Sequence, residues 1–206
     1  MIRIARLTAI AVTVFSLAAC AGDSVWAPDE AVAQATHVPS GPASVTLITS
    51  INTANNSGAH SALLIDGATR LLFDPAGSWH NPGIPERNDV LHGMSDPYLD
   101  AYVAFQSNGA YEVSMQTIEV SPQVAAQLSQ VVQNYGAVGP AYCSRSITDI
   151  LSGTPGFESI SPTFFPLNTM RQFAELPGVV ETYVVGSTGE ETDGSDAVLA
   201  AQLATQ

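Results

Sequence analysis

Apolar and polar positions alternate, or β-branched residues concentrate, in five short segments of the central chain, and this pattern predicts β-strands. The predicted strands are Ser44–Ile51, Ala59–Ile65, Thr69–Phe73, Tyr111–Val120 and Val179–Val185. Asp66-Gly67-Ala68 lies between the second and third strands and has the composition of a hairpin turn. The strands therefore predict a small antiparallel sheet.

Four further segments have apolar residues at helical spacing and helix start or stop signals. The predicted helices are Asp96–Gln106, Pro122–Tyr135, a segment from about Ala141 to Leu151, and Leu167–Leu176. We expect Asp96 to cap the first of them and Asn168 to cap the last. Helices and strands in this order predict an α+β fold, in which a small antiparallel sheet packs with helices.

The remaining segments predict loops and tails around one folded unit, residues 43–186. Pro75–Ser95 is dense in Pro, Gly, Asn and His, which predicts a long irregular loop of the kind that is often functional. Residues 20–42 are rich in Ala and Pro without a period, and we expect a flexible tether. The acidic and Ala-rich tail, residues 187–206, is expected to be loose.

The N-terminus has the pattern of a secretory signal, with Arg3 and Arg6 followed by an apolar run too short to span a membrane. The run ends in Leu-Ala-Ala-Cys at residues 17–20, which resembles the lipobox of bacterial lipoproteins. The resemblance implies that residues 1–19 are removed and that Cys20 is acylated. Ala21, rather than Asp, follows Cys20, which implies the periplasmic face of the outer membrane. The alternative is an ordinary signal peptide cut near Ala33 or Ala35.

The charge of the chain excludes some partners. It contains six Arg, no Lys and 19 acidic residues, for a net charge of −13, which becomes −15 once residues 1–19 are removed. Nucleic-acid binding requires clustered basic residues, so we expect no nucleic-acid partner. The same charge disfavours electrostatic attachment to anionic lipids, so membrane attachment would depend on lipid at Cys20. Without lysine, the chain also has no amine nucleophile on a side chain.

Cys143 is the one free thiol of the mature chain if Cys20 carries lipid. It follows Gly139-Pro140 at the first turn of a predicted helix, where the partial positive charge of the helix terminus favours a thiolate. This position suits a nucleophile. The alternative is a small apolar residue that packs the helix against the sheet.

A thiol nucleophile requires a base, and His60 is the best-placed imidazole. His37 lies in the tether, whereas His80 and His92 lie in the long loop. A three-residue turn at Asp66-Gly67-Ala68 would place Asp74 directly opposite His60, where it could orient the ring. A turn of two or four residues would separate the pair.

The strings SGAHSALLIDGATRLLFDPAGSW and GPAYCSRSITDIL together resemble a circularly permuted papain-like domain of the NlpC type, in which the His strand precedes the Cys helix. The resemblance covers roughly residues 44–185. It implies that Cys143 is the nucleophile, His60 the general base and Asp74 the third polar residue. Tyr142 and Ser144 flank the nucleophile, and the Ser144 amide would lie near an oxyanion. Ser144 and Arg145 side chains are expected to cap or cover the helix surface.

These features predict a thiol hydrolase or acyltransferase that acts on amide or ester bonds of cell-wall peptides or lipid acyl groups in the cell envelope. No cofactor is expected. One alternative is a non-catalytic lipoprotein that binds partners through Trp79 and His80, exposed on the Pro75–Ser95 loop. A second is a metal site built from His60, Asp74 and either His80 or His92, although no short ligand spacing supports it.

Overall fold

The computed structural model describes Gly22 and residues 24–186. The predicted signal peptide (residues 1–19), Cys20 and the tail (residues 187–206) lie outside the described residues. The described part forms five helices and one seven-stranded antiparallel sheet, which confirms the predicted α+β class and the antiparallel sheet packed with helices. No helix in this part is long and apolar enough to cross a membrane.

The sheet has the strand order β4-β5-β3-β2-β1-β6-β7. Its strands are β1 (Ser44–Asn52), β2 (Ser57–Asp66), β3 (Arg70–Phe73), β4 (Glu86–Arg87), β5 (Val90–His92), β6 (Tyr111–Glu119) and β7 (Val180–Val185). The helices are α1 (Asp29–Ala35), α2 (Asp96–Gln106), α3 (Pro122–Tyr135), α4 (Cys143–Ser152) and α5 (Pro166–Ala174). The five predicted strands and the four predicted helices are all present, and no end is shifted by more than two residues.

Both faces of the sheet are covered, because alternate residues of each strand point to opposite sides. Helices α3, α4 and α5 pack on one face, where Leu63 of β2 and Ile147 of α4 belong to the same apolar cluster. Helix α2 packs on the other face, where Ala62 of β2 and Tyr102 belong to a second cluster. The central strands β1 and β2 are therefore buried on both sides, which explains their continuous apolar runs.

Two segments contain more regular structure than expected. Helix α1 lies within the segment predicted as a tether, and the predicted irregular loop contains the short strands β4 and β5. Trp26 also forms a bridge with Arg87 of β4. Strands of two or three residues are too short to show alternation, so the sequence pattern could not reveal them.

The hairpin between β2 and β3 has a different register from the predicted one. Asp66 pairs with Arg70, so the loop is residues 67–69 and the strand positions are shifted by two. Asp74 is thus not directly opposite His60. Because the shift is an even number, Asp74 stays on the His60 face and becomes its diagonal neighbour.

Three helices begin differently from the prediction. The N-cap residue of α2 is Ser95 rather than Asp96, and that of α5 is Phe165 rather than Asn168. Helix α4 begins at Cys143 itself, two residues later than predicted. Cys143 therefore lies directly at the start of the helix.

The two ends of the sheet differ in composition, and we name them after residues of β2. At the His60 end lie Ser50 of β1, Tyr111 of β6 and Val185 of β7. At the Asp66 end lie Ser44, Glu119 and Val180. The charged side chains of Arg70 and Asp96 also lie at the Asp66 end, where Arg70 pairs with Asp66 and Asp96 at 2.6 Å each.

Candidate active site

The N-terminus of α4 lies against an edge of β2 that the short strand β3 does not cover. Strand β3 pairs with β2 only from Leu63 to Asp66. Beyond Leu63, the Ser61 hydroxyl contacts the Ser144 hydroxyl at 3.1 Å, and both side chains are fully buried. This contact places Cys143, the first residue of α4, beside the backbone of β2.

The backbone just before Cys143 has an unusual conformation. Ala141 has a φ of +67°, a left-handed conformation that alanine adopts rarely. The Ser146 hydroxyl then donates to the carbonyl oxygens of Tyr142 and Cys143, at 3.1 and 2.9 Å. These contacts position the thiol at the entry to the helix.

The environment of the Cys143 sulfur favours a thiolate. The side chain is 7% exposed, and its burial raises the pKa of Cys143. A hydrogen bond and the charge of His60, together with the backbone N–H groups of Ser61 and Ser144, outweigh burial and lower the pKa below its ordinary value. Two of these donors are backbone amides, so part of the stabilisation does not depend on any side chain.

His60 is held between the thiol and a buried carboxylate. Strand β2 has a bulge at Ala59, just before His60, and bulges of this kind re-aim the neighbouring side chain. The His60 Nε2–H donates to Asp74 Oδ1 at 2.6 Å, which leaves Nδ1 as the ring nitrogen for the thiol. Burial lowers the pKa of His60, but hydrogen bonds and negative charge at Asp74 and Cys143 raise it to about 10. His60 is therefore an imidazolium at neutral pH.

Asp74 has a second hydrogen-bond donor that was not predicted from the sequence. The Tyr102 hydroxyl donates to the same Oδ1 atom at 2.7 Å, and the Gln106 side-chain amide donates to the Tyr102 oxygen at 3.1 Å. Burial raises the pKa of Tyr102 well above its ordinary value, so the hydroxyl keeps its proton as a donor. Tyr102 and Gln106 are four residues apart on α2, so the predicted helix already indicated that these two side chains could contact each other. The contact between Tyr102 and Asp74 had no signal in the sequence.

The backbone around Asp74 is also fixed by contacts that the sequence did not indicate. Asp74 N–H donates to the Asp89 carbonyl at 2.8 Å, and Gly77 N–H donates to the Asp74 carbonyl at 2.9 Å. A Cβ atom at Gly77 would overlap the Asp74 carboxylate. Glycine at this position therefore allows the loop to approach the carboxylate closely.

Asp89 connects the backbone at Asp74 to the segment that precedes Cys143. Its carboxylate accepts the Val138 N–H at 2.7 Å. Burial raises the pKa of Asp89 to about 6, although hydrogen bonds from the Val138 and Ala76 amides oppose the shift. Asp89 therefore bonds both to the backbone of Asp74 and to Val138, which lies five residues before Cys143.

The flanking residues have different positions. Tyr142 is the exposed N-cap residue of α4, and its ring meets the Phe164 ring edge-on at 5.1 Å. Ser144 is fully buried, so the expectation that it covers the helix surface is wrong. Arg145 does lie at the surface, where it pairs with Asp149 at 2.9 Å.

The other histidines do not join His60. His80 is exposed and pairs with Glu86 at 3.3 Å, whereas His92 is buried in β5. The carbonyl of His37 accepts the Arg70 N–H at 2.9 Å. Among the described residues, no three His, Cys, Asp or Glu side chains are grouped so that they could hold a metal ion. Trp79 is 5% exposed rather than exposed on its loop.

A cleft of about 210 Å³ opens beside the first turn of α4. Tyr142 and Ser146 of this turn form one wall, and the loop before the helix forms another. The cleft is lined by Tyr135, Ala137, Val138, Gly139, Tyr142 and Ser146. Neither Cys143 nor His60 lines this cleft, so it lies next to the candidate site rather than containing it.

Comparison with known proteins finds no matching family model, curated protein or solved structure for this chain.

Proposed function

We propose that this protein is a thiol hydrolase or acyltransferase that acts on amide or ester bonds, with Cys143 as nucleophile, His60 as acid and base, and Asp74 as the group that orients His60. The observation that carries the proposal is the continuous contact from Cys143 through His60 to Asp74. Its support is chemical: a thiolate, an imidazolium and a buried carboxylate in contact can together carry out covalent acyl transfer.

In the proposed reaction, the Cys143 thiolate attacks the substrate carbonyl carbon and forms a tetrahedral oxyanion. The N–H groups in the first turn of α4 have no acceptor within the helix and can stabilise that charge. His60 then donates its proton to the leaving nitrogen or oxygen, which leaves a thioester on Cys143. A water molecule or another acceptor gives its proton to His60 and attacks the thioester, which regenerates the thiolate and the imidazolium.

The chain order supports a circularly permuted papain-like arrangement as part of this proposal. Strand β2, which contains His60, precedes helix α4, which contains Cys143, and both pack on the same central sheet. The resemblance is to proteins in which the His strand precedes the Cys helix, and this chain has the same order. The proposed substrates are amides of cell-wall peptides or lipid acyl esters, for a chain anchored through Cys20 at the cell envelope.

The first test is the reactivity of Cys143 in the folded protein. A small alkylating reagent should label Cys143 at neutral pH without denaturant, because the thiolate is stabilised there. His60→Ala should slow labelling by about tenfold or more, since one unit of pKa changes the thiolate fraction tenfold. His80→Ala is the matched control, because His80 is exposed and lies away from the thiol.

Labelling that requires denaturation would contradict the proposal, as would equal rates in the His60→Ala variant and the parent protein. Circular dichroism should show that both histidine variants keep the native secondary structure. Incubation with amide and ester model substrates, followed by mass spectrometry of Cys143, should then detect the thioester.

A further inference from the structure

The N-terminal segment runs along the outer edge of the sheet. Residues 24–29, which we call the N-terminal strap, follow strand β4. The Ala27 N–H donates to the Glu86 carbonyl at 2.9 Å, and the Asn88 N–H donates to the Val25 carbonyl at 3.0 Å. These backbone contacts extend the sheet by a short additional edge.

Arg87 holds this strap with its side chain. Its guanidinium lies 4.8 Å from the centre of the Trp26 ring, donates to the Ala27 carbonyl at 2.8 Å and pairs with Asp29. Cation–π and charge-assisted contacts of this kind add to the backbone pairing. The strap is therefore held in place by several independent interactions.

The strap leads to the loop that precedes the nucleophile. Gly22 lies so close to the backbone of Val138 that a Cβ atom at residue 22 would clash with it. Val138 lines the cleft beside α4 and lies five residues before Cys143. Cys20 is two residues from Gly22 and can extend at most roughly 7 Å beyond it. A lipid on Cys20 would thus emerge next to the cleft.

Exposed aromatic residues are concentrated at the same end of the sheet. Phe105 lies at the end of α2, next to Gln106, whose carbonyl accepts the Ser50 hydroxyl at 2.9 Å. Phe165 is 67% exposed and precedes Pro166, which contacts Gly58 at the start of β2. The exposed aromatic residues of the His60 end are Phe105, Tyr111, Tyr142, Phe164 and Phe165, whereas Trp26 lies beside Arg87 on the strap, Tyr135 lines the cleft and Tyr183 lies on β7.

The opposite end has a different surface. The side chains that line a cavity of about 380 Å³ at the Asp66 end include the charged Asp66, Arg70, Asp96 and Glu119. The His60 end therefore has exposed aromatic residues and is the end where an acylated Cys20 would emerge, whereas the Asp66 end is charged. At a lipid–water interface, aromatic side chains bury their rings, and the hydroxyl group of Tyr remains hydrated.

We propose that the His60 end of the domain docks on the lipid surface that anchors Cys20, so that the first turn of α4 and the cleft next to it face the bilayer. The net charge of −15 that remains without residues 1–19 would oppose contact with anionic headgroups, so zwitterionic lipid is the surface that suits this end. Given the proposed function, on which this step rests, the substrates are amides or esters held at the bilayer surface rather than dissolved ones.

The test uses the full lipidated chain in phosphatidylcholine vesicles, with and without bromine atoms on the acyl chains. Phe165→Trp reports on the His60 end. Val180→Trp is the matched control at the Asp66 end, where Val180 is 65% exposed. Both are made in a Trp26→Phe background, and the buried Trp79 contributes equally to each. Bromine should reduce the emission of Phe165→Trp by at least about twofold, because docked aromatic residues reach the acyl boundary.

Emission of Val180→Trp should not change. Equal quenching of both reporters, stronger quenching of Val180→Trp, or no quenching of either would overturn the docking proposal. A mature protein without lipid on Cys20, as shown by mass spectrometry, would overturn it as well. Alkylation of Cys143 in the same vesicles separates the two proposals, since an inert thiol with the expected quenching refutes the proposed reaction but not the docking.

Discussion

At the scale of single residues, Asp74 is the group on which the candidate site depends. One of its oxygens accepts hydrogen bonds from both His60 and Tyr102, and the side chain is 4% exposed. A buried carboxylate requires such donors, because an unpaired buried charge is strongly unfavourable. The negative charge in turn keeps the proton on His60, and that proton stabilises the Cys143 thiolate.

Asp74→Asn tests this dependence, since the amide has nearly the same shape and no charge. The pKa of His60 should fall towards its ordinary value, and labelling of Cys143 at neutral pH should slow by about tenfold. Tyr102→Phe is the comparison, because it removes one donor and keeps the carboxylate, and it should slow labelling less. Alkylation rates for the three proteins give the answer. An unchanged rate in Asp74→Asn would show that Asp74 does not act on the thiol.

At the scale of secondary-structure elements, the segment that enters α4 is strained. Ala141 has a left-handed backbone conformation, which costs an L-residue roughly 1–2 kcal/mol. The conformation turns the chain from the Gly139-Pro140 segment into the helix so that Cys143 becomes its first residue. Strain of this kind persists where neighbouring contacts determine the backbone, and here Asp89 and Ser146 supply such contacts.

Ala141→Gly should raise the free energy of unfolding by about 1 kcal/mol, because glycine adopts a positive φ without steric cost. The same substitution in a regular helix should have the opposite sign. Ala126→Gly, at an exposed position in the middle of α3, should lower the free energy of unfolding by about 1 kcal/mol. Urea denaturation of both variants measures the two values. A loss of stability in Ala141→Gly would show that the conformation is not strained.

Local patterns were sufficient to predict the elements that form the core of this sheet. Strands β1 and β2 are long enough to show β-branched and apolar runs, and α3 has a Ser-Pro start. Helix α1 and strand β4 escaped prediction because contacts distant in sequence hold them, above all those of Arg87. Short segments without their own apolar pattern give no local signal.

The same distinction applies to the candidate site. Cys143 and His60 could be identified by residue type and position, and Asp74 by counting residues along a hairpin. The count used the wrong loop, yet Asp74 stayed on the correct face because the error was an even number of residues. Tyr102 and Gly77 were missed, since their roles depend on how α2 and the loop approach Asp74 in three dimensions.

At the scale of the whole molecule, two buried groups outside the candidate catalytic pair make stability depend on pH in opposite directions. Burial, together with the charge of Arg87, lowers the pKa of His92 to about 4, and no described residue bonds to its Nε2 atom. Burial raises the pKa of Asp89 to about 6. As pH falls, Asp89 is protonated in the folded state before it is protonated in the unfolded state, which favours folding. His92 is protonated in the unfolded state before it is protonated in the folded state, which disfavours folding.

The contribution of His92 can be separated by substitution. An unfolded histidine binds a proton below about pH 6.5, whereas folded His92 does so only below about pH 4, so His92 destabilises the fold progressively across that window as pH falls. The effect is absent above the window. His92→Leu keeps a buried apolar side chain and removes the titration, so its melting temperature should gain on that of the parent as pH falls from about 6.5 to 4. His80→Leu, which replaces an exposed histidine, is the comparison variant. A constant difference between His92→Leu and the parent across the window would mean that His92 is protonated as readily in the folded chain as in the unfolded one.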